Sequence, residues 1–178
     1  SSAGAIRDAE KSKPVSPGAR EDLPKIPLIT IDPEDARDHD DAVFAEPDDD
    51  PNNQGGWHAI VAIADVAHYV RTGDALDHDA RARGNSTYFP VRVVPMLPDA
   101  LSAGLCSLVE GKDRACLAVH LWFDKDGNKK RHKFVRGLMR CAAGLNYRQV
   151  QQAIDGLPDR AAGDFLEPVL KPLYACHA

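Results

Sequence analysis

Six carboxylates, Asp32, Glu34, Asp35, Asp38, Asp40 and Asp41, are crowded into the stretch Ile31–Ala42. Two carboxylates about 4 Å apart repel by roughly 4 kcal/mol at an effective dielectric near 20, so such a cluster needs relief. It can splay into water, take up protons, or bind a hard cation through its oxygens. The spacing Asp32-x5-Asp38-x-Asp40-Asp41 offers oxygens for one or two ions. Magnesium characteristically takes one or two protein carboxylates and leaves the rest of its shell to water and substrate phosphate. Two such ions can hold the attacking and the leaving oxygen of a phosphodiester. An acidic turn with no ligand is the plain alternative. A calcium helix–loop–helix site fits poorly, because its loop wants Asp at alternate positions, a Gly at the sixth and a Glu at the twelfth, and this stretch has no Gly.

The elements on either side decide between these readings. Ile26–Ile31 is apolar and reads as a buried strand, and Ala42–Ala45 reads as a second. The acids therefore occupy a short loop between two strands rather than a solvated helix face, which favours the cation. Trp57–Asp65 reads as a third, mostly buried strand, with Asp65 at its end as a cap for the next turn or a further acid aimed at the loop. Asp74–Arg83 has the charge order of a short helix, acids early and arginines late, stopped by Gly84-Asn85. Ser86–Val94 is extended by composition. Pro98–Ser102 suggests a helical turn, with Leu105–Leu108 packed behind it. Arg114–Phe123 and Lys129–Met139 are strands joined at Asp126-Gly127. Asn146 caps a helix from Tyr147 to about Asp155, and a last amphipathic helix spans about Asp164–Tyr174. The Pro- and Gly-rich run Glu46–Gly56 reads as an exposed connection whose aspartates have no rigid frame. The basic run Lys129–Lys133 reads as a solvated hairpin tip rather than a phosphate track, because no aromatic is interleaved in it. The first residues, 1–23, are polar and hold several Pro and Gly, the composition of a flexible linker or loosely packed arm. The fold class expected is α+β, an antiparallel-rich sheet with surrounding helices.

Thr30–Ala42 resembles the signature of the ribonuclease II / ribonuclease R family, whose catalytic unit is the RNB domain. Ile60–Val70, Gly84–Pro90, Pro95–Pro98 and Leu105–Leu108 resemble further segments of that family in the same order. Asp35-Ala36-Arg37 and Ser86–Pro90 bring the likeness nearest to the ribonuclease R branch. The resemblance implies a hydrolytic 3′→5′ exoribonuclease that releases nucleoside 5′-monophosphates from single-stranded RNA with magnesium, or manganese, as cofactor. Asp32, Asp38, Asp40 and Asp41 match the four acidic positions of the family. Asp32 and Asp41 are then expected as direct metal ligands. Asp40 would hold a second ion or orient the attacking water, and Asp38 would complete or support the shell. Tyr88 matches a Tyr that contacts the 3′-terminal nucleotide, and Tyr147 an aromatic that helps hold the RNA. Arg37 is grouped with the RNA-contacting residues, its plain role being an ion pair with Asp35 or a neighbour. Gly144 departs from the family, which usually has Arg or Lys there.

The likeness covers Pro24 to about Asp155, so residues 24–178 read as the N-terminal portion of a longer catalytic domain. Its partners would be the remaining half of that domain and flanking RNA-binding domains. A formal net charge of −5 argues against a basic nucleic-acid coat on this piece itself. Four cysteines without zinc-site spacing suit reduced, packed thiols and a cytoplasmic location. No stretch has the length and apolarity of a membrane span. A relative that has lost activity and serves as an RNA-binding or scaffold protein, and a metal-dependent phosphodiesterase with another substrate, are the alternatives.

Overall fold

The computed structural model describes residues 1–177. Its frame is a seven-stranded sheet. The strands are β1 (Glu21–Asp22), β2 (Ile29–Asp32), β3 (Asp41–Pro47), β4 (Trp57–Ala64), β7 (Asp113–Phe123), β8 (Lys129–Arg140) and β9 (Ala143–Asn146). In space they run β1-β8-β7-β4-β3-β2-β9. The central pairings, β2–β3, β3–β4, β4–β7 and β7–β8, are antiparallel. The two outer ones, β1–β8 and β2–β9, are parallel. A separate hairpin, β5 (Thr87–Phe89) and β6 (Arg92–Val94), stands off the sheet. The α+β class is as expected; the parallel edges are an addition that local patterning does not encode.

Alternation builds the core. Ala42 and Phe44 of β3, Ile60, Ala62 and Ala64 of β4, and Cys116 and Ala118 of β7 are buried and share one face by register. The other face carries Ile63 beside Leu117 and Val119 beside Phe134, and Ile63, Leu117 and Phe134 are exposed. Helix α2 (Ala75–Arg83) starts at the Asp74 cap and stops at Gly84, as its charge order predicts. Helix α3 (Tyr147–Ile154) opens with a complete capping box between Asn146 and Gln149. The last stretch forms α4 (Arg160–Phe165), a wide turn at Leu166–Leu170 and α5 (Lys171–His177). No helix among the described residues is long and apolar enough to cross a membrane.

Three expectations need correction. The arm 1–23 is not loose: α1 (Ala3–Lys11) buries Ala5 and Ala9 in the core, and β1 joins the sheet. Leu23 docks where Gly137 has no side chain; a Cβ there would stand 2.6 Å from Leu23 Cδ1. Composition marked the arm as polar, but two alanines and one leucine suffice to seat it. Asp65 stands at the N-cap of the turn that follows, where its carbonyl accepts from His68 N (3.0 Å), but its side chain makes no cap bond and does not reach the acidic loop. It is buried and paired with Arg20 at 2.8 Å and Arg136 at 3.3 Å. The Asp-rich connection has a rigid frame after all, since buried Asn53 donates to Asp48 Oδ2 (2.7 Å) and to the Phe123 carbonyl (2.9 Å). The basic run is exposed throughout, as expected of a solvated hairpin tip, and the Arg131 guanidinium lies 3.5 Å from the ring centroid of Trp122 on the neighbouring strand. Beyond Gly137 and Leu138, which pair with β1, the outer edge of β8 has no strand partner among the described residues. Lysines on such an edge discourage pairing with another chain.

Candidate active site

Strand ends deliver the acids. Asp32 is the last residue of β2, Asp41 the first of β3, and Asp38 and Asp40 lie on the connecting loop. That loop has no regular structure, and the rest of the fold holds it. The His39 amide donates to Ser107 Oγ (3.0 Å), and its carbonyl accepts from Leu108 N (2.8 Å). The Asp40 carbonyl accepts from Ala64 N, at the end of β4, at 2.9 Å. At the rim Arg148 of α3 pairs with Glu34 at 2.9 Å. Arg37 is exposed, so the ion pair that ties the loop down runs through Glu34 instead of from Arg37 to Asp35.

The side chains form a graded cluster. The Tyr88 hydroxyl, from β5, donates to Asp38 Oδ2 at 3.3 Å, and its ring is 66% exposed. The parallel β2–β9 register sets Asp32 level with Asn146, so the exposed Tyr147 begins α3 beside the acids. His39 Nδ1 lies 2.6 Å from Asp32 Oδ2. Asp40 registers the crowding. Burial, then the charges of Asp38, Asp41 and Asp32, push its carboxyl above the usual range, with His39 opposing. Tyr88 is also pushed up, by burial first and then by Asp38, so it stays a phenol. Burial, with Asp40 adding to it, pushes the Cys106 thiol up to about 12, which removes it as a nucleophile or thiolate ligand. Behind Asp32 and His39 lies a polar cleft of about 270 Å³, bounded also by Glu34, Glu110 and Gly144.

Among the described residues, no three His, Cys, Asp or Glu side chains converge so that all could bind one ion. The four aspartates are therefore near neighbours without a common point. Their chemistry still suits a divalent ion: the donors are carboxylate oxygens around a strained Asp40, and magnesium needs only one or two of them. Sequence reading missed His39, Ser107 and Leu108. His39 stood inside the acidic run and its anchors inside the segment Leu105–Leu108, but nothing in the local pattern linked the two.

An RNB domain model matches residues 20–178. The chain belongs to the RNB-domain family. Among RNB relatives, ribonuclease R of Vibrio parahaemolyticus is 45% identical over 159 residues, and ribonuclease R of Escherichia coli is 44% identical over 158. Both alignments cover 89% of this chain but only 18% and 19% of those proteins, so the chain spans about a fifth of their length. The structure of Mycoplasma genitalium RNase R in complex with double-stranded RNA superposes with a TM-score of 0.90 at 28% identity. That match covers 99% of this chain and 31% of the RNase R chain. The RNB match begins at Arg20, and so takes in β1 and the Arg20–Asp65 pair.

Proposed function

We propose that this chain is the acid-bearing part of a metal-dependent exoribonuclease that hydrolyses single-stranded RNA from its 3′ end to nucleoside 5′-monophosphates, in the cytoplasm. The observation that carries the reading is the placement of the four motif aspartates, Asp32 at the end of β2, Asp41 at the start of β3 and Asp38 and Asp40 on the loop between them, with the Tyr88 hydroxyl on Asp38 Oδ2. Carboxylates crowded in this way are relieved by a bound cation. Asp32 and Asp41 would hold magnesium or manganese from the two strand ends. A divalent ion there supplies Lewis-acid activation of water and neutralises charge at the phosphate. Asp40 would hold a second ion or orient the attacking water. Asp38 supports the cluster and fixes the Tyr88 hydroxyl. The open ring of Tyr88 receives the terminal nucleotide by stacking. Tyr147 and Arg37, both exposed, meet the following ribose-phosphates. The remainder of the catalytic domain covers the apolar face that begins at Ile63, the register partner of Asp41.

The test uses the intact polypeptide with 3′- and 5′-labelled single-stranded RNA and magnesium. The expected result is stepwise release of mononucleotides from the 3′ end, lost on chelation. Asp40→Asn should cut turnover at least about a hundredfold while RNA binding persists. Equal hydrolysis of DNA would assign another phosphodiesterase activity, and full turnover in Asp40→Asn would remove Asp40 from the mechanism.

A further inference from the structure

His39 sits between two aspartates of the site, yet its side chain points back to a third. Its ring Nδ1 is 2.6 Å from Asp32 Oδ2, and the two side chains are 25% and 15% exposed. The backbone of His39 is fixed on both sides of the peptide, by Ser107 Oγ at its amide and by Leu108 N at its carbonyl. Both Ser107 and Leu108 are fully buried. The ring therefore hangs from the core rather than from a free loop. A carboxylate with one oxygen held by a fixed donor cannot rotate freely about its Cβ–Cγ bond. Its other oxygen then keeps one direction.

We infer that His39 is a positioning residue for Asp32. Its Nδ1–H donates to Oδ2, sets the plane of the carboxylate and leaves Oδ1 to face the ion. The inference rests on the metal-dependent reading above and adds to it a residue outside the four aspartates. It also explains how a loop without secondary structure can present a ligand: the rigidity is borrowed from Ser107 and Leu108, far along the chain. Partners of this kind around a metal ligand typically alter metal affinity by about 10–100-fold when removed. The donor, not the ring, is the active feature. Asn places an amide NH₂ near the position of Nδ1, Gln places it farther out, and Ala has none.

The test measures Mn²⁺ binding by electron paramagnetic resonance on the intact polypeptide, alongside the melting temperature without metal. His39→Ala is expected to raise the Mn²⁺ dissociation constant about tenfold or more, while His39→Asn stays within about threefold of wild type. Should His39→Ala not fold, His39→Gln keeps the bulk of the side chain and is expected to show the same loss. Ser107→Ala, which frees the His39 amide, should shift affinity in the same direction by less. Wild-type affinity in His39→Ala, or equal loss in the Asn and Ala variants, overturns the inference alone. A wild-type protein that binds no Mn²⁺ and cleaves RNA after chelation overturns the inference and the metal-dependent reading together.

Discussion

Replacing Arg20 with alanine is expected to destabilise the protein by about 3 kcal/mol, far more than replacing Arg136. Both guanidiniums pair with Asp65, whose side chain is 4% exposed, but they differ in burial: Arg20 is 10% exposed and Arg136 is 56%. Removing the buried partner of a buried charge costs about 3–5 kcal/mol. The lower end applies because Arg136 remains 3.3 Å away. Arg136→Ala should cost about 1 kcal/mol, the upper range for an exposed pair. For a chain of this size those figures correspond to drops of about 9 °C and about 3 °C in melting temperature.

Acidification adds a second signature. Burial alone would raise the Asp65 carboxyl, and it is the largest single influence. The Arg20 hydrogen bond and the charges of Arg136 and Arg20 together outweigh it, so Asp65 lies below the usual carboxylate range. A depressed acid stabilises the fold above its unfolded pKa and loses that contribution as pH falls through the folded value. Without Arg20 the burial is less opposed and the pKa rises. The stability gap between wild type and Arg20→Ala should therefore narrow as pH falls towards the carboxylate range. Urea unfolding at several pH values measures both quantities. A loss equal to that of Arg136→Ala, or a gap that widens in acid, would refute the reasoning. The effect also bears on the site, because Asp65 follows Ala64, whose amide holds the Asp40 carbonyl.

Other outcomes are expected on the same grounds. Magnesium at about a hundredfold excess over its dissociation constant should stabilise the chain by about 2.7 kcal/mol, and the double substitution Asp32→Asn with Asp41→Asn should abolish that shift in a thermal melt. Tyr88→Phe loses only an exposed 3.3 Å hydrogen bond and should alter KM for short RNA by less than about fivefold. Tyr88→Ala loses the stacking ring as well and should weaken RNA binding by about 1–3 kcal/mol, measured by titration. Leu23→Ala empties the contact over Gly137 and should cost about 3 kcal/mol in a denaturant titration; a silent substitution would restore the picture of a loose arm.

Much of the local structure was legible. The Asn146 cap, the Gly84 stop after the Asp74–Arg83 run, and the Asp126-Gly127 turn are encoded within a few residues, and the elements fall within a residue or so of where those signals put them. The acids could be placed between two strands because apolar runs flank them directly. The arm was misjudged because its docking depends on Gly137 and Leu138 of β8, and no average over the arm's own composition contains that fit. Asp65 was misjudged for the same reason: its partners lie 45 and 71 residues away.

The sequence by itself determined which chemistry is present: oxygen donors at fixed spacing, an aromatic with a polar tip, and strands that bracket them. Those are properties of residue type and short-range order. Tertiary structure alone decided that β9 lies beside β2, bringing Tyr147 to the acids, and that Ser107 and Leu108 hold His39 against Asp32. It also decided that the four carboxylates stand close without meeting at one point. Contacts between distant segments form only where the whole core can pack them, and charge repulsion within the loop is balanced only by what that core brings alongside.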